Sequence, residues 1–229
     1  MIDDLDESSS ILSLLVADSL KRWTDNALLG LLSEQDAIVR TAAARELQMR
    51  GGRDIFEKVQ HLSGNENPET REIAAFILGQ IGTPKMPFKD ESLPTLLSLA
   101  DDEDAGVRSA TAAAFGHLCY ESMPLNVEKC LIKLCSDSNE SVRACAAYAL
   151  GNSSGGKEVR ILLEKLLAQE GVGEYAELGL EILEAKKINN EILNDGCKVH
   201  VGGSVEDYPN QVKCTDPVTL LPDEAGEFL

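Results

Sequence analysis

Apolar residues recur with the period of an amphipathic helix through most of this chain, and polar, glycine or proline residues separate the helical stretches. One kind of stretch is rich in leucine pairs at three- and four-residue spacing. These stretches begin at Asp25, Asp54, Ser92, Val127 and Val159. A second kind, rich in alanine, follows each of the first. The alternation predicts pairs of antiparallel helices, A and B, joined by short turns.

Four arginines occupy the same place in the alanine-rich stretches, at intervals of 31, 37 and 35 residues: Arg40, Arg71, Arg108 and Arg143. A repeat of this length is typical of stacked helical units. Four residues before each arginine stands a side chain suited to capping a helix: Asp36, Asn67, Asp104 and Asn139. Seven residues after come apolar residues of one stripe: Leu47, Leu78, Phe115 and Leu150. The eighth position is glycine in three repeats, which permits close helix approach or termination.

These patterns predict an all-α protein, a right-handed α-solenoid of about five helix pairs. We expect a capping helix region at residues 1–22, the solenoid at 23–187, and an irregular acidic extension at 188–229. The fifth unit has Ala176 in place of the arginine, as expected for an atypical terminal repeat. Trp23 is predicted to fill the core beneath the N-terminal cap.

The charge of the chain narrows the choice of partners. It has 39 acidic residues against 21 Lys and Arg, a net charge of -18. Such a surface repels phosphate backbones, so nucleic-acid binding is not expected, and a basic protein partner is favoured. No apolar run approaches the roughly 20 residues of a membrane span. The acidic N-terminus lacks the basic region of a secretory signal, and six cysteines without an export signal indicate reduced thiols in the cytoplasm.

Candidate catalytic and metal-binding chemistry is sparse. Cys197, His200 and Cys214 offer three ligands with a long gap, whereas a zinc site usually needs four. The chain has no dinucleotide-binding, P-loop or G-x-S-x-G motif. We therefore expect a protein that is not an enzyme and that carries no metal or cofactor.

The pattern D-x-x-x-V-R-x-x-A-A followed by L-G resembles HEAT repeats of the short bacterial type, over about residues 24–187. This resemblance implies a structural ladder in which turn aspartates bond the helix-B arginines of neighbouring repeats. Its members are Asp36, Arg40, Arg71, Asp104, Arg108 and Arg143, with Asp102 and Asp137 as further partners. The His-Glu pairs of HEAT-repeat di-iron hydroxylases are absent from the sequence.

Two segments, LQMRGG (47–52) and AAFILGQIG (74–82), resemble the YibA-type HEAT proteins found beside Rhs toxins in enterobacteria. That resemblance implies an immunity protein, monomeric when free, that binds and occludes a cognate toxin domain. Two alternatives stay open at this point: a protein resembling the bilin-lyase HEAT proteins, and a general interaction scaffold. Salt-dependent association with a basic partner would favour the immunity interpretation.

In HEAT solenoids the B helices line the concave face. The side opposite the apolar stripe is reached one, five and eight residues after each arginine. The candidate contact residues on this face and its border are Arg45, Glu72, Phe76, Gln80, Ser109, His117, Tyr120, Tyr148 and Asn152. Phe76 and Tyr148 are either interface anchors or packing between repeats. Asp101, Asp102 and Glu103 form either an acidic docking point or a solvated helix cap.

Overall fold

The structure, a computed structural model, describes residues 14–196, with side chains through residue 188. Within this part every regular element is a helix. Residues 1–13 and 197–229 lie outside the described residues, and with them the predicted Cys197, His200 and Cys214 set. The chain divides into two units between Ile188 and Asn189, and the repeats lie in the first.

Helix α1 covers residues 14–20. The A helices that follow are α2 (Asp25–Leu31), α4 (Arg53–Leu62), α6 (Lys89–Leu99), α8 (Leu125–Leu134) and α10 (Lys157–Leu166). The B helices are α3 (Ala37–Arg50), α5 (Pro68–Leu78), α7 (Ala105–Leu118), α9 (Glu140–Leu150) and α11 (Gly173–Gly196). The five pairs confirm the predicted α-solenoid. One boundary differs, because α11 continues beyond residue 187, where we expected irregular structure to begin.

The predicted helix caps are present. Each cap carboxylate or amide accepts hydrogen bonds from backbone N–H groups of the first turn, which have no partner inside the helix. Asp36 caps α3, Asn67 caps α5, Asp104 caps α7 and Asn139 caps α9. A cap of this kind stabilises a helix by roughly 1 kcal/mol. Each B helix from α3 to α9 therefore begins at a position that the local sequence specifies.

The core lies between the A and B layers. The residues seven positions after the arginines are fully buried: Leu47, Leu78, Phe115 and Leu150. From the A helices, Leu28, Leu96, Leu131 and Leu163 are buried against them. The helical stripe seen in the sequence is therefore the core stripe, and burial of these aliphatic side chains supplies the main driving force for stacking.

Neighbouring B helices approach each other through residues with small side chains or none. A Cβ on Gly79 would lie 2.6 Å from the Cβ and 2.8 Å from the Cα of Ala114 on the next B helix. A Cβ on Gly179 would lie 2.7 Å from the carbonyl oxygen of Ala147. Only glycine permits so close an approach of two backbones.

The A helices are joined differently, by long polar side chains. Arg53 of α4 bonds Glu91 of α6 at 2.5 and 2.9 Å, and Gln60 bonds Thr95 at 3.2 Å. Side chains of this length hold helices farther apart than a glycine–alanine contact does. This difference in contacts is what we expect of a solenoid whose B helices line the concave face, and we call the face formed by the B helices the inner wall.

The predicted core position of Trp23 is wrong. The indole is 45 % exposed, while Leu20, Leu28 and Leu32 fill the core beside it. The Trp23 residue lies in the turn after α1, where Arg50 donates a 2.7 Å hydrogen bond to its carbonyl oxygen. The backbone is thus fixed with the ring outside the core.

Candidate functional site

Each repeat arginine first closes the A–B turn of its own repeat. The Nη1 of Arg71 donates to the carbonyl oxygens of Asn65 and Glu66 at 2.9 and 3.0 Å. The Nη1 of Arg108 donates to the corresponding carbonyls, six and five residues before it, at 2.8 and 3.0 Å. Arg40 and Arg143 make the same pair of bonds. The arginine therefore satisfies backbone carbonyls of the A–B turn, which lie outside both helices.

The two central arginines also bond the next repeat, each through both oxygens of one carboxylate. Nε and Nη2 of Arg71 each lie 2.7 Å from an oxygen of Asp102. Arg108 bonds Asp137 in the same way at 2.8 and 2.9 Å. These side chains are nearly buried, at 9 to 15 % exposed. Bidentate pairs of this kind fix geometry as well as charge.

The ladder weakens at both ends. Arg40 reaches Glu69 at 3.3 Å, and that carboxylate is largely exposed. Arg143 bonds the neutral Gln169 at 3.2 Å. The terminal repeats are therefore joined less firmly than the central ones.

Three residues of the predicted ladder and docking sets have other roles. Asp36 and Asp104 cap their own helices and form no bridge between repeats. Asp102 is occupied by Arg71, so its carboxylate is not available for docking. The bridging partner stands six residues before the next arginine, where the turn faces the preceding repeat. Asp101 pairs with Lys133 at the surface, and Glu103 remains 90 % exposed.

The ladder makes the free energy of unfolding depend on pH in the acidic range. Hydrogen bonds from Arg71 and Arg108 hold the pKa of Asp102 and Asp137 below the usual range. A carboxyl whose pKa is lowered by folding contributes stability above its unfolded pKa, and that contribution is lost as pH falls through the folded value.

We expect the free energy of unfolding to decline below about pH 4. Urea unfolding over a pH series measures this decline. The Asp102→Asn/Asp137→Asn variant should be less stable at neutral pH and show a flatter decline, and an unchanged slope would contradict the assignment.

All but one of the predicted contact residues, here called the strip, are exposed or half-buried. Arg45, His117, Tyr120 and Tyr148 are exposed. Half-buried members of the strip are Glu72, Phe76, Gln80 and Ser109. Tyr148 exposes 43 % of its surface, whereas Phe76 packs partly against the core. Ser109 and Cys145, on neighbouring B helices, have their Oγ and Sγ atoms 3.3 Å apart.

Asn152 is buried, so its predicted place on the exposed face is wrong. Helix α9 ends at Leu150, and the chain turns at Gly151 before Asn152 is reached. The Asn152 amide then points inward and donates a 2.9 Å hydrogen bond to the carbonyl oxygen of Gly116. In α7 the helix continues to Leu118, so the equivalent His117 stays on the exposed face.

After the first three arginines the ninth position is exposed or half-exposed, and the eighth is buried. The eighth residues, which include Gln48, Gly79 and Gly116, are buried where B helices meet. The ninth position adds Met49, which is exposed and which our sequence analysis did not include. Met49 follows Arg45 by four residues, as Gln80 follows Phe76, and residues four apart share one face of a helix. This spacing is the sequence signal that would have identified Met49.

Lys186 fixes one edge of the wall and was also missed. Its Nζ donates to the carbonyl oxygens of Tyr120 at 2.5 Å and Asn152 at 3.1 Å. The ammonium lies 5.4 Å from the centre of the Tyr120 ring. Burial lowers the pKa of Lys186. These bonds join α11 to the residues that follow the C-terminal ends of α7 and α9. Backbone carbonyl groups at the C-terminal end of a helix favour a cation.

The histidine and cysteines of this region show no sign of activation. The surrounding protein lowers the pKa of His117, although its edge is exposed, because a charged imidazole is poorly solvated on a crowded wall. Burial raises the pKa of Cys119 to about 11 and that of Cys135 to about 12. These two thiols stay protonated at neutral pH and behave as small apolar side chains.

Among the described residues no group of three or more His, Cys, Asp or Glu side chains is arranged to hold a metal ion. In the same part of the chain, no helix combines the length and apolar character needed to cross a membrane.

The helix pairs, the arginine positions and the small residues between B helices recur in a known family. The family described as HEAT repeats matches residues 24–116 and 93–180, which together span more than half of the chain. The chain belongs to the HEAT-repeat family.

This HEAT-repeat chain is similar to proteins of Escherichia coli and Pseudanabaena tenuis. Protein YibA of Escherichia coli is 28 % identical over 180 residues, which cover 76 % of this chain and 62 % of YibA. The chain thus spans about three fifths of the length of that relative. An uncharacterized phycocyanin operon protein Z of Pseudanabaena tenuis is 24 % identical over 162 residues, 70 % of this chain and 78 % of the relative.

A solved structure shares the fold. The complex of CpcE and CpcF of phycocyanin lyase from Nostoc sp. PCC7120 matches with a TM-score of 0.54 at 18 % identity, covering 68 % of this chain and 97 % of the matched chain. At this identity the similarity shows the fold alone. A HEAT-repeat solenoid of this kind is suited to protein binding.

Proposed function

We propose that this chain is a non-catalytic protein-binding solenoid whose partner lies along the inner wall of B helices. The observation that supports the proposal is the set of exposed and half-exposed aromatic residues, with Phe76 and Tyr148 on closely packed B helices and Tyr120 just after the end of α7. Tyrosine and phenylalanine present large contact areas at low entropic cost, and they are enriched among residues that dominate binding energy. A rigid wall adds little reorganisation cost.

The charge distribution favours a basic partner. The five A–B turns contain nine acidic residues and no basic one, whereas the four B–A links contain one of each. The four ladder arginines close these same turns and offset part of the charge, and this edge of the wall keeps a negative balance. We propose Asp101 and Glu103 on this edge as docking residues that attract the partner over a distance. Asp102 is excluded from this set by its pairing with Arg71.

A more specific form of the proposal rests on the resemblance of segments 47–52 and 74–82 to YibA-type HEAT proteins. In this form the chain is a cytoplasmic immunity protein, monomeric when free, that occludes a cognate Rhs-type toxin domain. The proposed division of the chain is a capping region at 1–22, the solenoid at 23–187 and an acidic extension at 188–229. No cofactor or metal takes part in this function.

A second candidate function follows from the similarity to phycocyanin operon protein Z and to the CpcE–CpcF complex. In that case the chain would act on a chromophore-bearing protein. Mixing the purified chain with a free bilin separates the candidates. A saturable change in the bilin absorption spectrum would favour the second candidate, and an unchanged spectrum favours the first.

The Phe76→Ala/Tyr148→Ala variant tests the binding wall. The matched control is Leu125→Ala, which removes an exposed apolar side chain from the A helix α8. The partner to be tested is the protein encoded by the neighbouring open reading frame. We expect the aromatic variant to bind at least a hundredfold more weakly, since two anchors each contribute roughly 1.5 kcal/mol or more. Leu125→Ala should bind as the wild type does.

Association with that partner should also weaken as salt is added. Equal affinity of the wild type and the aromatic variant, with thermal midpoints unchanged, would contradict the proposed wall. Binding that does not respond to salt would remove the basic-partner part of the proposal and leave the wall itself intact.

A further inference from the structure

Glu72 on α5 is a half-buried carboxylate that lacks the partners usual for such a group. Among the described residues it accepts no hydrogen bond and has no cation at salt-bridge distance. Its Oε2 lies against the first turn of α7, so near that a Cβ on Gly106 would be 2.7 Å away. Two N–H groups of that turn are already used, because Gly106 and Val107 both donate to Asp104.

The charges around Glu72 do not compensate for its burial. Burial raises the pKa of Glu72, and the nearby Asp104 and Glu69 raise it further. Arg40 is the one neighbouring cation that lowers it. The Arg40 guanidinium, however, is bonded to two turn carbonyls and lies 3.3 Å from Glu69. The nearly buried Asp102 and Asp137, by contrast, each bind an arginine through two bonds.

Phe76 lies one helical turn after Glu72, on the same side of α5. The Phe76 backbone is held in place, since the Gln48 amide donates a 2.7 Å hydrogen bond to its carbonyl oxygen. Among the described residues, the inner wall therefore presents a carboxylate without a salt-bridge partner beside a half-exposed aromatic ring. An ammonium or guanidinium group matches both, because it bonds the carboxylate and is attracted to the face of the ring.

We infer that Glu72 and Phe76 form the subsite for one lysine or arginine side chain of the partner protein. The inference rests on the proposed binding wall and specifies what the partner places at its second repeat. The methylene stem of the partner's side chain would cover Phe76, and its charged end would meet Glu72. In the free protein the ionised Glu72 carboxylate lowers the free energy of unfolding at neutral pH, because no hydrogen bond or ion pair among the described residues offsets its burial.

The stability of Glu72→Gln tests the first half of this inference without a partner. Glu164→Gln, an exposed acid on the A helix α10, makes the same charge change outside the wall. A carboxyl with a raised folded pKa destabilises the fold above that pKa, so its replacement should raise the thermal midpoint at pH 7 by about 1–3 °C relative to Glu164→Gln. A midpoint lowered by several degrees would show that Glu72 holds α5 and α7 together, and it would overturn the inference.

Binding of selected peptides tests the second half. A random peptide library is displayed against the full-length wild-type chain, and peptides that lose affinity for Phe76→Ala/Tyr148→Ala are retained. We expect one lysine or arginine in each retained peptide to be coupled to Glu72. Its replacement by methionine should weaken binding to the wild type about tenfold, and Glu72→Gln should cost the same factor.

Combining the methionine peptide with the Glu72→Gln chain distinguishes a failure of the subsite from a failure of the wall. Methionine in the peptide should cost much less against Glu72→Gln than against the wild type, with only the attraction to Phe76 left to lose, while Glu164→Gln behaves as the wild type does. If peptides depend on the aromatic residues but bind Glu72→Gln as tightly as the wild type, the subsite is wrong and the wall stands. If no selected peptide depends on Phe76 and Tyr148, the proposed wall fails, and the subsite with it.

Discussion

Replacing Arg71 with methionine is expected to lower the free energy of unfolding by about 3 kcal/mol. The side chain bonds Asp102 twice and two carbonyls of its own turn, and it is 9 % exposed. Methionine keeps most of the aliphatic stem but leaves the nearly buried Asp102 carboxylate without its counter-charge. Truncation of one member of such a pair costs far more than the pair contributes, because the remaining group cannot be rehydrated.

Urea unfolding of four arginine-to-methionine variants measures this effect and its gradient along the stack. Arg108→Met should cost as much as Arg71→Met, since its pairing with Asp137 has the same geometry. Arg143→Met and Arg40→Met should cost less. Arg45→Met, an exposed arginine of the inner wall, is the control and should change stability by less than about 0.5 kcal/mol. Equal costs at all four ladder positions would show that turn closure matters and the bridge between repeats does not.

Alanine in place of glycine should have opposite effects at Gly79 and Gly116. At Gly79 the new methyl group would lie 2.6 Å from the Ala114 Cβ and 2.8 Å from its Cα. The backbones of α5 and α7 must then move apart, and overpacking of this kind costs roughly 1–3 kcal/mol. At Gly116 the methyl group would meet the Ala149 Cβ at 3.4 Å, an ordinary contact. Helix propensity then favours alanine by up to about 1 kcal/mol.

Thermal unfolding of the two variants measures the contrast. We expect a lower midpoint for Gly79→Ala and an equal or higher one for Gly116→Ala. The two residues occupy the same place in successive repeats, so a repeat-wide preference for glycine would lower both midpoints. That result would contradict the conclusion that α5 and α7 lie closer together at Gly79 than α7 and α9 do at Gly116.

The sequence predicted what local rules decide. The helix caps follow from residue type and position, and Asp36 and Asp104 were identified by them. The ladder partners depend instead on how one repeat is placed against the next. Asp102 and Asp137 lie six residues before an arginine, and no rule within a single repeat separates that position from the cap two residues later.

The inner wall was predicted less well, because helix ends decide which side chains remain on it. His117 stays on the exposed face since α7 continues to Leu118, while Asn152 is buried after α9 ends at Leu150. Both occupy the same place in the repeat. The state of Glu72 was beyond sequence reasoning for another reason. Its lack of a donor arises because Asp104, on a different helix, takes the available N–H groups.

Hydrogen–deuterium exchange of the full chain, with and without the product of the neighbouring open reading frame, tests the central claim most directly. Protection on binding should appear in α5, α7 and α9 and around Tyr120, and the exchange of α4, α6 and α8 should stay unchanged. Protection confined to those A helices would contradict the account, since the partner would then occupy the outer face of the solenoid.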